Sequence, residues 1–495
     1  MPAGVLAPDG ADRGVPDRRL YEELLYRGAP LETTRRKLLA RAFRHLEIDE
    51  AWAEAARHAA ARGPVVYVLR STSLLDFLAL DHLVDRFELP PLGFVNGLHH
   101  PLAGQGPRRH DPGRALTAAL ESHRSAVLFL RCPKTGLIQR WCHDGEVLFH
   151  ALIRHQRQGG RELLMLPTLF AWTTSPEQRG STLLNTIFGP ADQPTDLRRA
   201  GQFLTHYRSI RLRAGEPLRL LEFLRDQGAL DQEGDDPALI RRLTYTLLRK
   251  VERERRTIVG PAHKPPDRVA DEVLRSPKVR RLIDDMAGPG EAERLKLTDS
   301  ARQMLEEMQL VPDPSTQQSM SLLVDQIVYR LYAGIDVDKD GLDRLRRLTR
   351  EGMVVLLPSH KSHIDYIVLS YILRQNGISM PAIAAGDNLS FFPAGPILRR
   401  CGAFFIRRSF RGDKLYTTVV DAYIRRLMRD GWMLEFFLEG TRSRTGKPLP
   451  PKLGLLNMVV TSALGVRRPT YFMPVSIGYE RPVEEGAFSR ELSGG

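Results

Sequence analysis

Residues 17–62, "DRRLYEELLYRGAPLETTRRKLLARAFRHLEIDEAWAEAARHAA" and the two residues after it, repeat apolar positions every three or four residues with charges between them. That period predicts a small helical preface behind a frayed tail at the start of the chain. At residue 63 the pattern changes. "GPVVYVLRSTSLLDFLALDHLV" (63–84) opens on a β-branched run too short for a helix and passes into a longer helical period, and the same alternation continues to about residue 250. Such βα units predict a parallel sheet covered by helices. Beyond 250 the chain is charged and helical again, broken at "GPAHKPPD" and "GPGE", until the strand-like "GMVVLLP" (352–358) begins a second alternating block. The expected organisation is therefore a tail and helical segment (1–62), an α/β domain (63–250), a helical connector (251–345) and a second α/β domain (346–495).

The two blocks resemble each other when laid side by side. "VVYVLRSTSLLDFLAL" (65–80) parallels "MVVLLPSHKSHIDYIVLS" (353–370), so that Asp76 falls on Asp365 and Ser71 on His360. "AVLFLRCPKTG" (126–136) parallels "EFFLEGTRSRTG" (435–446), with Arg131 where the second block has Glu439, and "LLMLPTLFAW" (163–172) parallels "TYFMPVSIGY" (470–479). Three matches in order favour an internal duplication. The first block runs on into "SIRLRAGEPLRLLEFL" (209–224), a further strand and helix; no counterpart follows in the second, which reads as incomplete at its C-terminal end.

Composition narrows the partners. With 495 residues and 42% hydrophobic residues the chain can bury two or three cores. A formal net charge of +13 predicts attraction to something anionic: nucleic acid, anionic lipid or a phosphorylated substrate. Three cysteines without a C-x-x-C pair fit a reducing compartment. The start has neither the basic nor the apolar region of a signal peptide. Nor does any apolar run reach the length of about eighteen residues that a spanning helix needs, so work at a membrane would be done from its surface.

The candidate chemistry sits in "SHKSHIDY" (359–366), a polar turn between two apolar segments. Five steps along a helix rotate by about 140°, so His360 and Asp365 cannot face each other on one regular helix. The histidine belongs in the turn and the aspartate one turn inside the helix, from where its carboxylate can reach back to one imidazole nitrogen and leave the other free to accept a proton. No protein nucleophile is needed if the substrate brings a hydroxyl, and acyl transfer to an alcohol fits these parts. A capping role for the pair is the plainer alternative for an isolated H-x-x-x-x-D. A metal site through His360, His363 and Asp365 lacks a fourth ligand. Downstream, "GAFFIRRSFRGDKLY" (402–416) and "FFLEGTRSRTGKPLPPKLG" (436–454) each join an apolar strand to a glycine-containing turn rich in cations. Arg407, Arg408, Arg411 and Lys414 in one and Arg442, Arg444 and Lys447 in the other are candidates for a phosphate dianion, with Glu439 and Ser443 expected to hold arginines in register. Pro474 is read as shaping a strand end. "DVDKDG" (336–341) is not an EF-hand, because Arg347 stands where the bidentate glutamate is required; it reads as a strand end and a helix start.

Taken in order, "SHKSHIDY", "GAFFIRRSF", "FFLEGTRSRTGK" and "MPVSIGYE" resemble the four acyltransferase motifs of the glycerol-3-phosphate acyltransferase family, its dihydroxyacetone-phosphate relatives included. The connector and the first block resemble the long bacterial membrane-bound type. The resemblance implies tandem acyltransferase-like α/β domains, the first degenerate, with His360 as general base, Asp365 as its partner, and Arg408, Glu439, Gly440, Arg442 and Ser443 binding glycerol phosphate. It implies transfer of a fatty acyl group from acyl-CoA or acyl carrier protein to the sn-1 hydroxyl, at the cytoplasmic face of the cell inner membrane, with no metal or other cofactor. "EGTRSRTGK" and "PPKLGLLN" are as close to the dihydroxyacetone-phosphate branch, so the acceptor stays open between the two.

"LSFFPAGPILRRCGAFFIRR" (389–408) is a candidate for bilayer contact or for the acyl chain's path, and surface binding requires Phe391, Phe392 and Ile397 exposed together. A nucleic-acid module would interleave exposed aromatics with its cations, a pattern this chain lacks, so nucleic acid is not expected as a partner. The rival of another class is a non-catalytic membrane-surface scaffold descended from an acyltransferase.

Overall fold

A computed structural model describes residues 43, 47–48, 50–96, 112–131, 145–171, 211–232, 234, 236–331, 334–362, 364–407, 412–466 and 468–479. The chain divides into two compact units, residues 1–173 with 182–255 and residues 174–181 with 256–495. Most of the helical preface read from the sequence lies outside the described residues. Its last part is helix α1.

In the first unit the order is β1 (Glu47–Ile48), α1 (Glu50–Arg62), β2 (Val65–Ser71), α2 (Leu74–Arg86), β3 (Leu92–Val95), α3 (Pro112–Glu121), β4 (Ser125–Arg131), α4 (Gly145–Arg157), β5 (Leu164–Ala171), β6 (Arg211–Ala214), β7 (Leu218–Arg219) and α5 (Leu220–Asp226), followed by most of α6 (Pro237–Val259). The sheet order is β1-β6-β5-β2-β4-β3, with β7 also on β5. Strands β2, β3, β4 and β5 run parallel, and β6 and β7 return antiparallel on β5. The apolar run "VVYVLRS" becomes the central strand because both of its faces are covered. Val65, Tyr67 and Leu69 pack with Trp52 of α1 and Phe77, Leu80 and Leu83 of α2. Val66 and Val68 face the other way, onto Leu116 of α3, Leu152 of α4 and Leu243 of α6.

The second unit contains α7 (Pro266–Leu274), α8 (Pro277–Ala287), α9 (Glu291–Met308), α10 (Pro314–Leu331), α11 (Lys339–Glu351), β8 (Met353–Pro358), α12 (Asp365–Gln375), β9 (Ala382–Gly386), α13 (Ala394–Arg400), β10 (Ala403–Ile406), α14 (Lys414–Asp430), β11 (Leu434–Glu435), α15 (Leu453–Leu464) and β12 (Thr470–Val475). All its described strands are parallel, in the order β10-β9-β11-β8-β12. The charged helical stretch before β8 has apolar stripes that complete this core: Val273, Val279, Ile283 and Leu305 pack with Val355, Phe404, Leu434 and the inner face of α14. On the other side of the sheet Val354, Leu356 and Met433 pack with Leu345 of α11 and Leu369 and Leu373 of α12. In "DVDKDG" the helix start is as expected, Asp338 accepting a hydrogen bond from the Gly341 N–H at 3.0 Å. The expected strand end is absent there: no ladder partner faces this stretch, and irregular chain leads into the helix.

The duplication read from the sequence is carried by topology. The path β5-β2-β4-β3 of the first sheet recurs as β12-β8-β11-β9 in the second, with α2 and α12 following the corresponding central strands. Where the second copy has His360, the first has Ser71, buried at the end of β2 and paired in register with Arg131 of β4. Their neighbourhoods differ at one edge. β5 is buried along its whole length by β2, β6 and β7, whereas among the described residues β12 pairs with β8 alone and alternates half-buried with exposed positions.

Candidate active site

Three adjacent strands of the second sheet, β11, β8 and β12, deliver their following residues to the same carboxyl edge, the place where parallel α/β sheets build sites. The turn after β8 carries His360, and α12 begins at Asp365. The Asp365 carboxylate folds that turn around itself. Its Oδ2 accepts the Lys361 N–H at 2.7 Å, the Ser362 N–H at 2.9 Å and the His360 Nδ1–H at 3.0 Å. Its Oδ1 accepts the Tyr479 hydroxyl, which arrives from beyond β12, at 2.6 Å. Burial pushes the Asp365 carboxyl up, but hydrogen bonds from His360, Tyr479 and the Ser362 and Lys361 main chain outweigh it and hold the group below the usual carboxylate range. Its place in the first turn of α12 favours the same ionised form. With that carboxylate ionised, His360 Nδ1 is the donor and Nε2 keeps its lone pair.

The imidazole is fixed on its face as well as at its edge. Phe437 stacks on it with centroids 4.1 Å apart and planes 28° from parallel. The His360 side chain retains 16% of its surface, so the ring is supported without being sealed in.

The loop after β11 is tied to the histidine turn through main chain. Ser443 N–H donates to the His360 carbonyl at 2.8 Å, and its hydroxyl donates to the Lys447 carbonyl at 2.5 Å. Glu439 is buried, and its two oxygens accept the His360 N–H at 3.1 Å and the Leu449 N–H at 3.0 Å. Here the structure differs from the expectation that Glu439 and Ser443 hold arginines: both are taken up by main-chain partners and brace the loop instead. Gly440 stands at φ +64°, in the left-handed region that favours glycine, and a Cβ there would come within 2.8 Å of the Lys452 side chain and displace it. Among the phosphate candidates of this loop, Arg442 is half-buried and Arg444 and Lys447 are exposed.

In the other basic turn Arg408 and Arg411, together with His363 of the first, lie outside the described residues. Lys414 is exposed at the start of α14, which Asp413 caps by accepting the Tyr416 N–H. Arg407 is spent on structure: its guanidinium lies 4.3 Å from the Tyr416 ring centre and 3.5 Å from the Asp413 carboxylate.

Glu439→Ala is expected to cost about 2–4 kcal/mol of stability, since two main-chain donors lose their acceptor together. Denaturant titration of this variant beside Glu439→Gln, which keeps one oxygen acceptor, checks it: glutamine should recover part of the loss.

A family described as acyltransferase matches residues 337–478, and the N-terminal domain of the glycerol-3-phosphate acyltransferase PlsB matches residues 33–260. The chain is 31% identical over 446 residues to the glycerol-3-phosphate acyltransferase of Shewanella oneidensis, covering 88% of this chain and 50% of that protein. Proteins of the same name from Shewanella putrefaciens (31% over 444 residues) and Shewanella loihica (30% over 437 residues) are similar in the same way, each with 87% of this chain and 50% of the relative covered.

The chain carries a domain of the acyltransferase family and one of the PlsB N-terminal family. It spans about half the length of these relatives, 50% in each case. Tandem acyltransferase-related α/β domains are thus the architecture of this chain. Three side chains that shape its candidate site were not singled out from the sequence: Phe437, Tyr479 and the buried Glu435. The strand period in "LEFFLEG" puts Glu435, Phe437 and Glu439 on one side, but which side faces the histidine depends on the register of β11. Nothing local in "SIGY" shows that Tyr479 crosses to Asp365.

Proposed function

We propose that this chain carries the acyl-transfer site of a glycerol-3-phosphate 1-O-acyltransferase, with His360 as general base. The observation that supports this reading most directly is an imidazole oriented by a buried carboxylate, its outer nitrogen still able to accept a proton, joined by main chain to a loop bearing Arg442 and Arg444. The cations of that loop, with Lys414 and Arg408 from the other basic turn, would hold the phosphate of sn-glycerol 3-phosphate and so bring its sn-1 hydroxyl to Nε2. Nε2 takes the hydroxyl proton as the oxygen attacks the thioester carbonyl of acyl-CoA or acyl carrier protein. Asp365 stabilises the imidazolium so formed. Collapse of the tetrahedral intermediate breaks the carbon–sulfur bond, the thiolate leaves with the proton from His360, and lysophosphatidic acid is the product. No cofactor takes part. The first unit, with Ser71 in the position of the base, serves this reading as a non-catalytic copy.

The test is direct. Membranes containing the protein are supplied with labelled glycerol 3-phosphate or dihydroxyacetone phosphate and with either donor; labelled lysophosphatidic acid is expected, dependent on His360. Acylation of dihydroxyacetone phosphate alone would move the acceptor to the other branch of the family, and membrane binding with no turnover would leave the scaffold.

The same reading places the protein on the cytoplasmic side of the inner membrane as a peripheral protein drawn to anionic lipid. No described helix is long and apolar enough to cross a membrane. The requirement that Phe391, Phe392 and Ile397 be exposed together is met only by the two phenylalanines, with 60% and 86% of their surface exposed, because Ile397 is half-buried. Replacing both phenylalanines with serine should weaken flotation with anionic vesicles by about tenfold or more, as two aromatic rings lose apolar burial.

A further inference from the structure

Asp365 is not the only buried carboxyl group on this side of the sheet. Leu434 and Phe436 face the α7–α9 and α14 side of the second sheet, so Glu435 between them faces the α12 side. Its side chain is fully buried, and neither carboxyl oxygen has a hydrogen-bond partner. Across the ladder stand apolar Leu356 of β8 and Ile383 of β9. The charge that acts on Glu435 is Asp365, at the start of α12. No cation among the described residues compensates it there. Two carboxyl groups in one buried region disfavour a negative charge on both, and hydrogen-bond donors favour the ionised form of the one they reach.

The donors are unevenly shared. Asp365 receives four and Glu435 none. Three of the four come from the turn that Asp365 itself organises, all on Oδ2; the fourth, on Oδ1, is the Tyr479 hydroxyl. We propose that Tyr479 is a positioning residue: its hydroxyl, donated to Asp365, holds the negative charge on Asp365 and leaves the proton on Glu435, so that His360 faces a full carboxylate. The titrating groups set against Asp365 in this arrangement are His360 from the turn, Tyr479 from beyond β12 and Glu435 from β11. The directions of the two acids agree with it, burial and the Asp365 charge pushing Glu435 well above the ordinary range while Asp365 lies below it. The proposal rests on the reading of His360 as the base.

Tyr479→Phe removes this donor and keeps the ring. Its kcat should fall roughly tenfold or more, the loss of one hydrogen bond to a charged group, with KM for glycerol 3-phosphate within about twofold of wild type. Because part of the charge then moves to Glu435, Asp365 keeps its proton to higher pH, and the acid limb of the kcat profile should shift upward. In Tyr479→Phe/Glu435→Gln the competing carboxyl is gone, so the double variant should be several-fold more active than Tyr479→Phe, a rescue no purely structural role provides. The resting protein offers a second readout: an infrared band of a protonated carboxyl at neutral pH that Glu435→Gln abolishes. An unshifted acid limb, a double variant no better than the single, or no band sensitive to Glu435→Gln would overturn the proposal. If Tyr479→Phe does not fold, the band alone decides. It needs no turnover, so failure of this proposal is separate from failure of the acyl-transfer reading, which His360→Ala tests.

Discussion

His360→Ala should lower acyl transfer to glycerol 3-phosphate by about 10²–10⁴-fold, the usual contribution of a positioned general base. The fold should hold, because the turn is organised by other contacts: Lys361 and Ser362 N–H on Asp365, and main-chain bonds of residue 360 to Glu439 and Ser443 that alanine retains. The fall should appear in kcat, with KM for glycerol 3-phosphate little changed, if cations elsewhere in the site hold the phosphate as proposed. Initial rates with labelled acceptor, beside a circular dichroism melt, check both halves. Wild-type rates in a folded His360→Ala protein would remove the imidazole from the chemistry.

Asp365→Asn should be nearly as damaging, about 10²–10⁴-fold in kcat, by analogy with the orienting aspartate of a hydrolase triad. The amide is almost the same size, and its oxygen can still accept from the turn. What it lacks is charge. An imidazolium formed at His360 then has no anion in contact, and the side chain's amide group, a donor where Tyr479 also donates, opposes the present arrangement on Oδ1. The wild-type pH profile should fall on the acid side where Asp365 binds a proton. Asp365 titrates below the ordinary carboxylate range, so the loss due to it comes only at strongly acidic pH. A folded Asp365→Asn protein with full kcat would reduce the pair to a helix cap.

The features legible in the sequence are those set by local pattern. A β-branched run such as "VVYVL" or "MVVLL" has one stable use between amphipathic helices, as a parallel strand covered on both faces, and strands β2 and β8 lie where those runs stand. The His360–Asp365 contact was legible because a spacing of five forbids one helix face and leaves the turn. Other features depend on which elements become neighbours. The helices from 266 to 308 read as a charged connector, yet their narrow apolar stripes are core once α14 lies against them. Glu439 reads as an arginine partner until the turn after β8 offers its N–H. Tyr479 and Glu435 come to Asp365 from opposite neighbours of β8 in the sheet, information that no window of sequence contains.

Strand β11 is two residues long, and its ladder pairs Leu434 with Val355 and Glu435 with Leu356. These pairs, with those of the same two residues to Ala382 and Ile383 of β9, set the phase by which Phe437 lies against the imidazole while Phe436 lies in the opposite core. A slip of one residue would turn Phe437 away from the imidazole and Glu435 into the opposite core. Under the proposed function, the support of the base therefore depends on alignment at Leu434, a residue of the core, and a misaligned strand would leave the imidazole without its stacked ring.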